Sequence, residues 1–261
     1  MLEVTILSIL QGIAEFLPIS SSGHLVVAKE FLGLGDVGIR LDVFLHVGTL
    51  VAVVLFYFAT LRSLALKMIS KGGERKEALS YVGKILLSAI PAGAVGVLLN
   101  DFLSSLFSSP RMVGLALAFT SIVLIATRFL SSSKTSSVTF KSAFLMGLAQ
   151  AVAIIPGVSR SGMTLSMAKA LGVDSGKAAE FSFLMSIPPI AGAALLEVIK
   201  SLECSSAVPE VSWGLTLYGA CVSAAVGYIS LALLLKALKA NAFWMFGLYT
   251  SVVSAIVLIA M

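Results

Sequence analysis

The feature that most constrains this chain is a series of apolar runs, each close to the length needed to cross a bilayer. Six stretches, 41–59, 80–99, 112–130, 181–199, 214–236 and 243–260, approach the roughly 20 mainly apolar residues that a spanning helix requires. Charge is too scarce for a water-soluble surface: Asp, Glu, Lys and Arg make up 12% of 261 residues, against about 25% in soluble domains. In lipid every backbone polar group needs an internal partner, so helices or closed barrels are the available solutions, and runs of this length fit helices. The expected fold class is all-α, a polytopic membrane protein forming a single integral membrane domain over 1–261.

The net charge of +5 does not point to nucleic acid, because Lys and Arg lie between apolar runs and form no patch with aromatics. Cys204 and Cys221 give neither a disulfide framework nor a metal motif, and Cys221, inside an apolar run, reads as a packing residue. The N-terminal segment lacks a basic region and a small-residue cleavage site, so no removable signal peptide is expected.

Two further apolar stretches are interrupted. Residues 2–34 run into Pro18, then Ser20, Ser21, Ser22 and Gly23. Residues 139–173 run into Pro156 and Gly157, then Ser159, Arg160, Ser161 and Gly162. Pro and Gly stop a first helix, and Ser caps a second. Each half is short for a span, and non-helical backbone at membrane depth is tolerated only where protein buries it or a watery cavity meets it. The expectation is two re-entrant helix hairpins with polar tips, Pro18–His24 and Pro156–Gly162.

The interrupted stretches also match each other. A shift of 139 residues lays Gln11 on Gln150, Ser20 on Ser159, Ser22 on Ser161 and Gly23 on Gly162, and carries Phe44 and Leu45 onto Phe183 and Leu184. This predicts a repeat with halves at about 1–130 and 139–261, each one hairpin plus three spans. Three spans cross an odd number of times, so the second half starts on the opposite face and the repeat is inverted. Hairpins from opposite faces then meet near the midplane. Placing the 60–79 loop in the cytoplasm puts thirteen Lys and Arg on that side, among them Lys134, and four outside, Lys29, Arg40, Arg111 and Lys200. Positive residues favour the cytoplasmic face. Both termini are therefore expected outside.

The two loops carry groups suited to phosphate chemistry. Gln11 and Glu15 lie one helical turn apart, followed by Ser20, Ser21, Ser22 and His24. Ser159, Arg160, Ser161 and Thr164 stand at a helix start, where backbone N–H groups and the helix dipole favour an anion. Arg160 adds a permanent charge whose fork matches phosphate oxygens. Ionisable residues inside a membrane are functional by default. His46 reads instead as structural, since the repeat pairs it with Met185, and the charged residues at 71–77 read as a solvated loop.

The segments QGIAEFLPISSSGHL and PGVSRSGMT resemble the two motifs of the undecaprenyl-diphosphatase family, the bacitracin-resistance type, and FLHVGTLVAVV and EFSFLMSIPP fit its pattern as well. The likeness spans essentially the whole chain. It carries the family's roles onto Gln11, Glu15, Ser20, Ser21 and His24 in the first motif and onto Ser159, Arg160, Ser161 and Thr164 in the second. Because Gln11 stands where some members have Glu, a mechanism needing two acids there has only one in this chain. The resemblance implies hydrolysis of undecaprenyl diphosphate to the monophosphate at the extracytoplasmic face of the plasma (inner) membrane. That reaction recycles a lipid carrier for peptidoglycan and cell wall synthesis and gives bacitracin resistance. It also implies a divalent cation, Mg or Ca, for which Glu15 is the candidate ligand. The type-2 phosphatidic-acid phosphatases share similar short motifs but need a histidine after the Ser-Arg pair, and this chain has only His24 and His46.

Three chemistries stay open at this level: Ser21 as nucleophile with Glu15 or His24 as base, His24 attacking directly, or water activated by Glu15 or a metal. A different class, a polyprenyl-phosphate flippase, uses the same broken-helix plan. The partners expected are the polyprenyl diphosphate lipid and the bilayer, with no nucleic acid. The oligomeric state is open, a homodimer being one arrangement.

Overall fold

The structure, a computed structural model, describes residues 1–33, 39–99, 106, 109–130, 137–203 and 211–260. Lys134 and Cys204 lie outside these residues. The described residues form an all-helical protein: α1 (Leu2–Phe16), α2 (Ser21–Phe31), α3 (Ile39–Phe56), α4 (Phe58–Ile69), α5 (Gly73–Leu98), α6 (Pro110–Ala126), α7 (Phe140–Val152), α8 (Arg160–Ala170), α9 (Ser175–Leu184), α10 (Ile187–Glu203), α11 (Trp213–Lys239) and α12 (Met245–Ala260). Side chains supply the starts: Ser109 caps α6 just before Pro110, Thr139 and Ser142 form a reciprocal box on α7, and Asp174 accepts from the N–H groups of Gly176 and Lys177.

Four segments are long and apolar enough to cross a membrane: α5, α6 with its 3₁₀ extension to Phe129, α9 running into α10 as far as Leu196, and α11. The pair α3–α4 makes a fifth if counted as one span, although it bends by 70°. The protein is thus a multi-pass membrane protein. All six expected stretches fall on helices, but α7 and α12 are apolar and shorter than a full span.

The expected loop at 60–79 is mostly helix. Residues 58–69 form α4, and the charged residues from Gly73 onward are the exposed first turns of α5. Polarity was mistaken there for irregular structure. Arg62 and Lys67 ride on a helix whose Leu61 packs inward, so the segment is amphipathic. Cys221 is also corrected: it is exposed on α11 and packs in no core.

Lipid offers no hydrophobic drive between helices, so close packing and interhelical hydrogen bonds hold such bundles. Both are visible here. A Cβ at Gly48 of α3 would run into the Ala220 carbonyl of α11, and one at Gly147 of α7 would lie 2.5 Å from the Ser88 carbonyl oxygen of α5. Ser223 donates to the Leu45 carbonyl at 2.9 Å, and Ser254 donates to that of Gly114 at 2.7 Å. The main apolar cluster, with Phe16, Phe181, Phe183, Met185 and Leu231 fully buried, lies beside the two interrupted stretches.

Candidate active site

Each interrupted stretch folds as two short helices joined by a turn, α1–α2 and α7–α8, and within each pair the helices pack on one another. The helix starts after the turns are built alike. Ser20 accepts from the N–H of Gly23 at 3.3 Å, and Ser159 accepts from that of Gly162 at 3.1 Å. Ser20 Oγ stands 3.3 Å from Ser22 Oγ, and the same distance separates Ser159 and Ser161. They differ in backbone: Ser20 has φ +72°, a left-handed conformation uncommon for a residue with a Cβ, whereas Ser159 has φ −75°.

The two turns touch. A Cβ on Gly23 would lie 3.0 Å from the Cα of Gly157, and Ser161 Oγ donates to the Leu17 carbonyl at 3.4 Å. Gly157 itself adopts φ +95° with its α-carbon pressed against α6, where a Cβ would meet the Val113 carbonyl and the Ala116 methyl. Only glycine satisfies both demands. Thr120 of α6 fastens this turn, donating to the Gly157 carbonyl at 2.9 Å and accepting from the Ser159 N–H at 3.1 Å.

Where the turns meet, Glu15 is the hub. Arg160 Nη2 donates to Glu15 Oε1 at 2.5 Å. Ser21 Oγ donates to Glu15 Oε2 at 2.7 Å, and Gln11 Nε2 to the same oxygen at 3.1 Å. The carboxylate is 7% exposed and the guanidinium 16%, so solvent screens the pair weakly. Arg160 Cζ also sits 5.8 Å from the centre of the Phe183 ring, which packs edge-on against Phe16. Its Nη1 is buried without a partner. A cavity of about 150 Å³ opens here, walled by Glu15, Ser20, Ser21, Ser22, Ser159 and Arg160. A donor fork with one end unused, surrounded by hydroxyls, is a receptor for oxyanion oxygens.

Seven of the ten expected residues converge on the Glu15 hub or line the cavity. Ser161 closes the contact between turns without lining it. Thr164 is turned away, donating to the Arg160 carbonyl at 2.9 Å and standing 2.6 Å from Ser182 Oγ. His24 is turned away too. Its Nδ1 lies 2.9 Å from the Ser20 carbonyl oxygen, which can only accept, so Nδ1 carries the proton. Nε2 then accepts from Tyr249 Oη at 2.9 Å, and the two rings stack. Both ring nitrogens are occupied away from Ser21.

Sequence reasoning missed His46, Tyr249 and Thr120. His46 of α3 lines the cavity with Nε2 3.7 Å from Glu15 Oε2, while its Nδ1 contacts the Asp42 carbonyl at 2.8 Å. The signal was present, since an ionisable residue inside an apolar run is a functional candidate. Pairing it with Met185 through the repeat masked that signal. Tyr249 and Thr120 act across long sequence separations, and nothing local marks them.

Among the described residues no three His, Cys, Asp or Glu side chains group to hold a metal ion. Among the described residues Glu15 is the one carboxylate at the cavity, and both its oxygens have partners.

The family model described as bacitracin resistance protein BacA matches residues 4–256. The undecaprenyl-diphosphatase of Halothermothrix orenii is 37% identical over 259 residues, covering 98% of this chain and 96% of that protein. That of Desulfatibacillum aliphaticivorans is 38% identical over 274 residues, covering 99% and 98%. The one from Methanosphaera stadtmanae is 34% identical over 275 residues, covering 99% and 97%. With a family model matching nearly its whole length and relatives matching end to end, the chain belongs to the bacitracin-resistance protein family, BacA.

Proposed function

We propose that this protein hydrolyses undecaprenyl diphosphate to undecaprenyl phosphate and inorganic phosphate, and that the contact between the two turns is where it does so. The hydrogen bond from Ser21 to Glu15 carries the reading. A serine hydroxyl is a weak nucleophile until a neighbouring base takes its proton, and Glu15 Oε2 accepts that proton's hydrogen bond at 2.7 Å. Ser21 Oγ attacks the terminal phosphorus as its proton passes to Glu15. The bond to the bridging oxygen breaks, and undecaprenyl phosphate leaves with the proton returned from Glu15. Water then attacks the phosphoserine, giving a proton to Glu15 and releasing phosphate as Ser21 is reprotonated. Arg160 and the hydroxyls of Ser20, Ser22 and Ser159 hold the phosphoryl oxygens, and such positioning and charge stabilisation supply most of the catalysis in phosphoryl transfer. Gln11 and His46 orient the carboxylate. His24, occupied by Ser20 and Tyr249, supports the first turn.

A divalent cation, Mg or Ca, fits this donor set only as an ion held mainly by the substrate's own phosphate oxygens, with Glu15 as the protein's carboxylate. Magnesium is commonly bound that way, through one or two carboxylates plus phosphates and water. Bound there, it would neutralise charge on the diphosphate.

The architecture that supports this site is six spans and two re-entrant hairpins in an inverted repeat. Packing between the halves supports a repeat: α1 of the first hairpin lies on α11, α7 of the second lies on α5, and α6 and α12, last in their halves, pair with each other. In the orientation favoured by the positive residues, the cavity faces outward and both termini are external. Flipping alone is not favoured, because it leaves the Ser21–Glu15 pair without a task.

The test is phosphate release from undecaprenyl diphosphate by purified protein, with acid quench and mass analysis of the peptide bearing Ser21. Phosphorylated Ser21 during turnover supports the scheme. Phosphate release with full rate in Ser21→Ala overturns it.

A further inference from the structure

A second cavity, of about 350 Å³, lies between the first turns of α6 and the turn of the second interrupted stretch. Its wall is apolar: Met112, Leu115 and Phe119 from α6, with Ile155, Pro156 and Val158 from the turn. Val158 lines both this groove and the polar cavity. The turn runs continuously from one to the other, and on the polar side the next two residues are Ser159 and Arg160. Met112, Leu115 and Phe119 are 44%, 52% and 43% exposed, so the groove is open sideways toward lipid.

We infer that this groove holds the first isoprene units of the substrate and thereby fixes which phosphorus Ser21 meets. The inference rests on the diphosphatase reading above. A tail leaving past Val158 sets the inner phosphate beside Ser159 and leaves the terminal phosphate where Arg160 meets Glu15 and Ser21. The leaving undecaprenyl phosphate then stays with the second turn while phosphate transfers to the first. Lipid tails are as apolar as the groove, so no hydrophobic gain draws the chain in. What the groove supplies is direction, and misplacing a reacting group by about 1 Å is enough to cost on the order of 10²-fold in rate. The groove is bounded by the early turns of α6, the outer half of that helix in the proposed orientation, which is the leaflet a substrate at the extracytoplasmic face occupies.

The test compares undecaprenyl diphosphate with methyl diphosphate, which carries no isoprene unit to place in the groove. Met112→Trp and Leu115→Trp fill the groove, and Ile229→Trp, on the lipid-exposed surface of α11, serves as control. In the groove variants kcat/KM for the long substrate is expected to fall about tenfold more than for the short one, with the ratio unchanged in Ile229→Trp. A polyprenyl diphosphate carrying a photoreactive group on an early isoprene is expected to label residues of 112–119 and 155–158. Equal losses on both substrates, or labelling confined to α5 or α11, overturn the inference. Labelling decides alone if the short substrate turns over too slowly to compare. Wild-type protein releasing phosphate from neither diphosphate refutes the diphosphatase reading instead, and labelling by the long analogue still decides whether the groove takes a prenyl chain.

Discussion

The two turns begin from nearly the same plan and end with different work. Both start a helix with a serine that caps a glycine N–H, and both set two serine hydroxyls 3.3 Å apart. The shift that superposes them lays Ser21 on Arg160 and Glu15 on Ile154. The first turn thus has a hydroxyl beside an acid, and the second has a fixed cation without one. The two helix starts are alike, and the differences at these two positions are what, in the proposed reading, make one turn reactive and the other a clamp. Neither suffices alone, since the acid of one is held by the cation of the other at 2.5 Å.

The proposed asymmetry is broken most directly by removing what only one turn has. Ser21→Ala is expected to lower kcat by 10⁴-fold or more, on the order seen when a nucleophile is deleted. The equivalent removal in the second turn, Arg160→Ala, is expected to cost about 10³-fold, the upper range for loss of one charge-stabilising donor. Arg160→Lys should recover only part of it, because a point charge replaces a fork. Rates of phosphate release measure all three, and equal rates for Ser21→Ala and wild type would assign the chemistry elsewhere. Glu15→Gln tests the link between the turns. It leaves a buried guanidinium without its counter-charge, which typically costs about 3–5 kcal/mol. A lowered unfolding temperature in detergent should therefore accompany the lost activity; lost activity at unchanged stability would mean the ion pair holds nothing together. His24→Ala sharpens the comparison from the other side. With its ring occupied by Ser20 and Tyr249, it is expected to cost about tenfold or less, and Tyr249→Phe less still, within the range of one lost hydrogen bond. A fall for His24→Ala as deep as that for Ser21→Ala would return the nucleophile's role to His24.

Much of this was legible in the chain. Apolar run length gave the helices, and the interrupted stretches gave the helix–turn–helix pairs at 2–31 and 140–170 almost to the residue, because Pro, Gly and Ser act locally. That the two polar turns meet was expected from the matched stretches; that Glu15 in particular pairs with Arg160 was not, because it is set by packing between distant helices. What sequence could not show was set at long range. The 70° bend between α3 and α4 falls inside an apolar run with no proline or glycine to mark it. Thr120, which fastens the second turn, and Tyr249, which fastens His24, are ordinary members of apolar helices until the fold brings them in. Thr164 shows the converse: it belongs to the motif, yet its hydroxyl is spent on Ser182 and the Arg160 carbonyl.

The near-contact of Gly23 with Gly157 has a bearing on how the protein is made. The first turn is synthesised 139 residues ahead of the second. Until Arg160 is in place Glu15 lacks the cation that pairs with it, and nothing from the second turn braces the left-handed backbone of Ser20. The proposed site therefore forms only when the second half docks and Gly23 and Gly157 come together. Made as two separate halves, the protein is expected to show activity only when both are present in the same membrane.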